Sequence, residues 1–394
     1  MTSLPYSRRA AGIASAAAPI FRFATQSPLM GQRSKPGVAD FLFGDPHEMP
    51  VPGYAEALAK WSAPQSKDWF AYKMSEPSAQ TIVANTLRET RGLPFEPEDI
   101  YLTNGAFAAL AVSLSAVVDP ADEVIFISPP WFFYEALIVS HNATPVRVKC
   151  PPPKFDLDLD AIREAITPHT RAIIVNSPNN PTGRVYPPDT WQALAKILNE
   201  ASQRNGRAIY LLSDEAYSRI VYDGRSYHSP AAHYANTFLL YTYGKTLLTP
   251  GQRIGFIALP PTMLHRKEMQ NAILAAQLAT GYAFPNALLQ HALPDLEKLS
   301  IDIEHLQEKR DRLTGALTGM GYELGVPEGT FYLMPRSPLA DDWAFTETLA
   351  QYDVLAMPGA IVELPGYFRL SLTANDEMIE RSLPGFKAAI EQCA

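Results

Sequence analysis

Lys245 closes a run of aromatic and aliphatic residues, TFLLYTYGK, and Arg253 follows it in a K-x7-R spacing. An ammonium held against apolar walls is destabilised, which makes it a usable amine nucleophile. Asp214 stands just past another apolar run, in AIYLLSDEAYSRI, with Tyr217 three residues on. A third run, RAIIVNSPNNPTGRV, ends in a rigid turn shaped by Asn176, Asn180, Pro181 and Gly183. That turn offers the Asn180 amide at a set position. EVIFISPPWFFY closes on Trp131, whose face can stack on a planar ring. IYLTNGAFAALAVSL passes through Asn104 and Gly105 into a helical pattern. There the backbone N–H groups of Gly105, Ala106 and Phe107 make a ready anion site.

Each of these has an ordinary reading: Lys245 as a solvated turn residue, Asp214 as a helix N-cap, Trp131 as core. One ligand accounts for all of them together. A phosphate suits the helix N-terminus and Arg253, a flat ring suits Trp131, and a cationic ring nitrogen suits Asp214. A phenolic oxygen suits Tyr217 and Asn180, and an aldehyde suits Lys245. Pyridoxal 5′-phosphate (PLP) carries every one of those groups.

Such residues converge only if the elements before them lie side by side. Short β-branched runs predict strands at Ile100–Thr103, Glu123–Ser128, Pro145–Lys149, Arg171–Asn176, Ala208–Ser213, Thr237–Tyr243 and Arg253–Leu259. Helical patterns alternate with them at Phe107–Val118, Tyr134–His141, Leu159–Ala165 (with Asp158 and Asp160 as capping candidates) and Thr190–Asn205. This alternation predicts an α/β fold: a mostly parallel seven-stranded sheet between helices, with ligands at the carboxyl ends of its strands. The charged stretch at 295–313 reads as one long connecting helix with a solvated face. YELGV, GTFYLM, VLAMPG and YFRLSL then read as strands of a smaller α+β unit, with which the first 45 residues are expected to pack.

NSPNNPTG, SDEAY and GKTLLTPGQR, in that order and spacing, resemble the class I/II aminotransferases of PLP fold type I, the aspartate aminotransferase family. The resemblance runs from FLFGDP at 41–46 to FRLSL at 368–372. It implies that Lys245 is the Schiff-base lysine, Asp214 the partner of the ring nitrogen, Tyr217 and Asn180 the pair on the ring oxygen, and Trp131 the stacking aromatic. Arg253, Thr242 and the Gly105–Phe107 backbone match the phosphate site, and Arg369 the grip on the substrate α-carboxylate. Gly44 matches the glycine near the substrate, and Tyr72 the tyrosine lent to a neighbouring subunit in a homodimer. It further implies an N-terminal arm at 1–44 joined to the small domain, a large PLP-binding domain at 45–292 and a small domain at 293–394. The implied activity moves an amino group from an amino acid to a 2-oxo acid by a ping-pong route. Lyase, decarboxylase, racemase or oxidase outcomes share the same motifs.

The chain departs from the family pattern in places. Gly244 replaces a hydroxyl residue before the lysine, Ala106 and Phe107 replace small or polar ones, and QLATGYAFPNALLQ around Tyr282 lacks the arginine of dicarboxylate-specific relatives. With the aromatic content of WFFY, TGYAF and GTFY, this predicts a non-acidic, apolar or aromatic donor. The 394 residues carry 33 Lys plus Arg against 41 Asp plus Glu, a net charge of −8 without a basic stripe, which argues against a nucleic-acid partner. Two cysteines, Cys150 and Cys393, form neither a disulfide framework nor a metal-ligand spacing. No apolar run approaches the roughly 18 residues of a membrane span. Arg8-Arg9 before AAGIASAAAPIF is read as part of an N-terminal arm rather than a targeting segment, and the expected location is cytoplasmic.

Overall fold

The computed structural model describes residues 5–393. A short strand, β1 (Ala39–Asp40), precedes seven that build one sheet: β2 (Ile100–Thr103), β3 (Glu123–Ser128), β4 (Thr144–Lys149), β5 (Thr170–Asn176), β6 (Tyr210–Asp214), β7 (Thr237–Thr242) and β8 (Gly255–Ala258). Their order is β2-β8-β7-β6-β5-β3-β4. Only β8 runs against its neighbours, β2 and β7. The sheet strands and the helices between them match the sequence reading, with ends shifted by two residues at most.

Strands buried on both faces need apolar residues at successive positions, and the central strands supply them. In β5, Ile173 and Val175 face one core while Ala172 and Ile174 face another. The first core is closed by the helix Pro188–Asn205 through Trp191, Leu194 and Leu198. The second is closed by Gly105–Val117, a helix buried along most of its length. Asp158 caps Leu159–Ala165, its carboxylate accepting the Ala161 N–H at 2.9 Å.

The smaller unit contains β9 (Tyr332–Leu333), β10 (Val354–Leu355), β11 (Met357–Pro358) and β12 (Phe368–Ser371), with helices Asp342–Gln351 and Asp376–Cys393. β12 lies between β11 and β9, antiparallel to both, and β10 pairs with β1. The N-terminal residues are therefore shared. Strand β1 pairs with β10 of the small unit, whereas the helix Arg8–Ala16 packs on Tyr134–Ser140 beside the large sheet.

Two expectations need correction. The stretch 295–313 is not one helix: Ala287–Leu296 ends, and Ile303–Gly319 begins on Asp302, which accepts the His305 N–H at 3.0 Å. In the break, the Ile301 N–H donates to the Thr246 carbonyl at 2.8 Å, so the bend braces the turn beside Lys245. Nor is the second helix merely solvated, since Lys309 and Arg310 are buried, paired with Glu48 and Asp223. YELGV is not a strand: Tyr322 instead anchors the segment, packing on Phe345, Phe368 and Phe386, with its hydroxyl donating to the Phe386 carbonyl.

At Gly255 the reversed strand β8 passes the start of the Gly105–Val117 helix, and a β-carbon there would lie 2.8 Å from Gly105 Cα and against the Tyr241 carbonyl. Gly255→Ala is expected to lower the unfolding free energy by about 1–3 kcal/mol, the usual cost of overpacking, measured by urea denaturation.

Candidate active site

The carboxyl ends of β2, β3, β5, β6 and β7 open into a cleft of about 310 Å³, closed on the far side by the small unit and the 43–45 segment. Lys245, Asp214, Tyr217, Asn180, Trp131, Ala106, Phe107, Thr242, Arg253, Arg369 and Gly44 all line it. Gly105 lies immediately behind, where a β-carbon would meet Arg253 Nη2 at 2.7 Å and Thr242 Oγ1 at 3.3 Å. Tyr72 is elsewhere: it is 88% exposed and rests on Phe284, ring centroids 5.0 Å apart.

Asp214 ends β6 and is buried, and no helix starts there, so it is not an N-cap. Its Oδ2 accepts the Tyr134 O–H at 2.7 Å and its Oδ1 the Ala216 N–H at 3.2 Å. Burial pushes its carboxyl above the ordinary range, and the Tyr134 hydroxyl, the Ala216 N–H and the Lys245 charge pull it back. Asn176 locks the neighbouring strand end. Its amide donates to the Asp214 carbonyl at 2.8 Å while its Oδ1 accepts the Asn180 N–H at 2.6 Å. Lys245 leaves β7 with its Nζ 5.7 Å from the Tyr217 ring centroid and 5.6 Å from that of Phe331.

Asn180, so fixed, accepts from Arg369 Nη1 at 3.2 Å, and the Leu42 carbonyl accepts from Nη2 at 3.0 Å. The guanidinium also lies 4.3 Å from the Tyr332 ring centroid and 5.9 Å from that of Phe132. Arg369 is 2% exposed, has no carboxylate within ion-pair distance among the described residues, and its Nε has no partner. Burial pulls its proton affinity down. A buried cation held only by neutral groups is a site that calls for an anion.

The other end of the cleft is also cationic and tight. Arg253, exposed to solvent yet partly desolvated so that its proton affinity is lowered, donates to the Pro250 carbonyl at 2.6 Å and has no acidic partner among the described residues. Gly105 takes φ +81° to start its helix beside this arginine. Gly244, the departure before the lysine, has a steric cause: a β-carbon would lie 3.0 Å from Pro250 Cα. Phe107 turns its ring edge-on to Trp131, centroids 5.1 Å apart at 88°. Gly44 admits no side chain, because Tyr332 Oη and Phe331 occupy that space. Tyr134 and Tyr332 are the site residues missed from the sequence. The signal for Tyr134 was its place three residues after Trp131, at the start of the next helix.

The family model for aminotransferase class I and II matches residues 37–384. The chain belongs to this family. It is 31% identical over 352 residues to the aspartate/prephenate aminotransferase of Thermus thermophilus, covering 87% of this chain and 88% of that one. To aromatic-amino-acid aminotransferase 2 of Thermococcus litoralis it is 24% identical over 372 residues, covering 90% and 92%. The crystal structure of an aminotransferase from Eubacterium rectale superposes with a TM-score of 0.88 at 30% identity, covering 99% of both chains. The protein is a PLP-dependent transaminase of fold type I, acting on amino acids and 2-oxo acids.

The residues of this aminotransferase fit the cofactor. Arg253 and the Gly105 turn form a cradle that a single β-carbon would fill, suited to a phosphate. Asp214 is a buried carboxylate with only neutral donors on it, suited to a pyridinium.

A carboxyl whose folded pKa is raised stabilises the fold fully below its unfolded value and loses that contribution as pH rises through the folded one. The cofactor-free aminotransferase should therefore lose stability as pH climbs above the ordinary carboxylate range. Tyr134→Phe removes a hydrogen bond to the charged form and is expected to raise the Asp214 carboxyl further, extending the loss to higher pH. Titration of ¹³C-labelled aspartate by NMR in the cofactor-free protein checks this. An unmoved Asp214 resonance would contradict it.

Proposed function

We propose that the enzyme takes its amino group from an L-amino acid with an apolar or aromatic side chain and passes it to a 2-oxo acid in two half-reactions at one site, a ping-pong cycle. The observation that carries the donor class is the cleft's charge inventory. Among the described residues its lining cations are Lys245, Arg253 and Arg369, each with a role already, so this chain lends the cleft none for a second carboxylate, while Phe43, Phe107, Phe132 and Phe133 wall the space between. A distal carboxylate would be desolvated there without a partner.

In this reading Arg253, Thr242 and the N–H groups of Gly105, Ala106 and Phe107 hold the PLP phosphate, and Trp131 stacks on the ring. Asp214 keeps its negative charge at the ring nitrogen, and Tyr217 and Asn180 donate to the ring oxygen. Bound there, PLP supplies an aldehyde that condenses with amines and a cationic ring that accepts an electron pair from the substrate α-carbon. Arg369 grips the α-carboxylate with parallel hydrogen bonds, which orients the Cα–H bond, and Gly44 leaves room for it. Lys245 Nζ, the amine that would bond the aldehyde at rest and be freed when the substrate amine takes its place, would carry the proton from the substrate α-carbon to the former aldehyde carbon of PLP, acting first as general base and then as general acid.

The same reading includes a homodimer in which Tyr72 reaches the partner subunit's phosphate site. Supporting it, Tyr72 stands out with Phe70, Leu278 and Phe284 as exposed apolar side chains. The large domain at 45–292 and small domain at 293–394 are retained, with the arm at 1–44. So is a cytoplasmic location, and no helix among the described residues is long and apolar enough to cross a membrane.

Borohydride reduction followed by peptide mass mapping is expected to find the pyridoxyl adduct on Lys245; its absence there would overturn the assignment. Lys245→Ala should slow transamination by roughly 10⁴-fold, the upper end of general acid–base contributions. In a donor panel scored by stoichiometric pyridoxamine phosphate, phenylalanine or leucine should exceed aspartate in kcat/KM by about 10–100-fold, the scale of an unpaired buried polar group. Co-expressed Tyr72→Ala and Lys245→Ala chains should recover activity that neither shows alone, since a mixed dimer rebuilds one intact site. No recovery would argue against sharing.

A further inference from the structure

We infer that Glu363 is a positioning residue for Arg369: its carboxylate pins the 359–364 loop to the end of β3 and thereby holds Phe132 against the guanidinium. The inference rests on the reading of Arg369 as the substrate-carboxylate grip. Glu363 sits at φ +59°, in the left-handed region that disfavours a side chain and suits glycine. Such a conformation persists where its surroundings over-determine it, and here the side chain supplies the reason.

The loop carrying it is closed tightly on itself. The Leu364 N–H donates to the Gly359 carbonyl at 2.9 Å, and a β-carbon on Gly359 would collide with the carbonyls of Leu364 and Tyr367. From this platform the Glu363 carboxylate accepts the Ser128 O–H at 2.9 Å and the Arg147 Nε–H at 2.8 Å. Arg147 is fixed from a second side by Glu135 and lies over the Phe126 ring at 5.2 Å. Ser128, 2% exposed, is the last residue of β3, and the chain then runs through Pro129 and Pro130 to Trp131 and Phe132. Two prolines leave that short path little freedom, so fixing Ser128 fixes the aromatic pair.

The other arm of the connection returns to the same arginine. The Gly359 N–H donates to the Tyr367 carbonyl at 2.8 Å, and Tyr367 leads directly into β12, which carries Arg369. Phe132 closes the circuit over the guanidinium at 5.9 Å. The connection thus runs from Arg369 to the Phe132 ring, back along the chain to Ser128, across to Glu363, and through Gly359 and Tyr367 to the strand that carries Arg369. The carboxylate of Glu363 is the link that joins the small unit to the strand exit on the large sheet.

The test uses the holoenzyme and 3-phenylpropionate, a carboxylate with an apolar tail and no amine, titrated by calorimetry. Glu363→Gly removes the carboxylate and relaxes the backbone. It should weaken 3-phenylpropionate about tenfold, the scale of one charged hydrogen bond, with bound PLP unchanged. Glu363→Gln, which keeps the shape and an acceptor oxygen, should fall between it and the parent. In steady state the loss should appear in KM for the amino donor more than in kcat. Parent-like affinity in Glu363→Gly, or a loss that merely tracks departure of cofactor, overturns the inference. Should Glu363→Gly fail to fold, Ser128→Ala decides: a several-fold weakening supports the link, and parent-like binding removes it. Borohydride labelling of the same preparations separates the two levels. An adduct on Lys245 with unaltered ligand affinity sinks only the role of Glu363, whereas no adduct in the parent protein sinks the underlying reading with it.

Discussion

A guanidinium taken out of water without a counter-charge is the constraint around which this molecule is arranged. Desolvating Arg369 is costly, and among the described residues no carboxylate repays it. What holds it is a set of neutral groups from four distant parts of the chain: the Asn180 amide, the Leu42 carbonyl and the faces of Tyr332 and Phe132. Each of those must be held in turn. The Asn180 turn is tied to β5 through Asn176, Leu42 follows β1, and Tyr332 begins β9 beside β12. A charge left open in this way binds an anion well because the protein has already borne the work of assembling its donors.

The opposite charge is handled with similar economy. Asp214 is buried at the end of β6 and accepts from one phenol and one backbone N–H, both neutral. Between these two unpaired charges lies Lys245, on a turn braced from behind by Ile301 and flanked by a glycine that the Pro250 backbone requires. The helix break at 297–302, invisible in the sequence, and the glycine at 244, a departure that the sequence does show, both accompany the close packing of that turn.

The local signals were legible wherever a single element sufficed. Apolar runs such as AIIVN and TFLLYT must be buried strands, because alternation is lost when both faces are covered, and the residues after them are then placed on one edge of the sheet. Reading failed where a long-range contact overrode local pattern. The stretch 295–313 has helical periodicity throughout, yet Ile301 turns out of it to reach Thr246, 55 residues earlier in the chain. Tyr322 has strand-like neighbours, but its ring is claimed by three phenylalanines from other elements.

The amino-acid sequence by itself determined the fold class, the strand ends that meet at the cleft and the identity of the groups offered there. Those follow from periodicity, turn chemistry and motif spacing, which are properties of neighbouring residues, and for Arg369, Thr242 and Gly44 from resemblance to the aminotransferase family. Tertiary structure alone decided that Tyr134 sits on Asp214, that Arg369 is buried with a donor to spare, and that Glu363 spans 235 residues to Ser128. Those depend on how one element packs against another, and a hydroxyl or carboxylate carries no local mark of the partner that packing will bring to it.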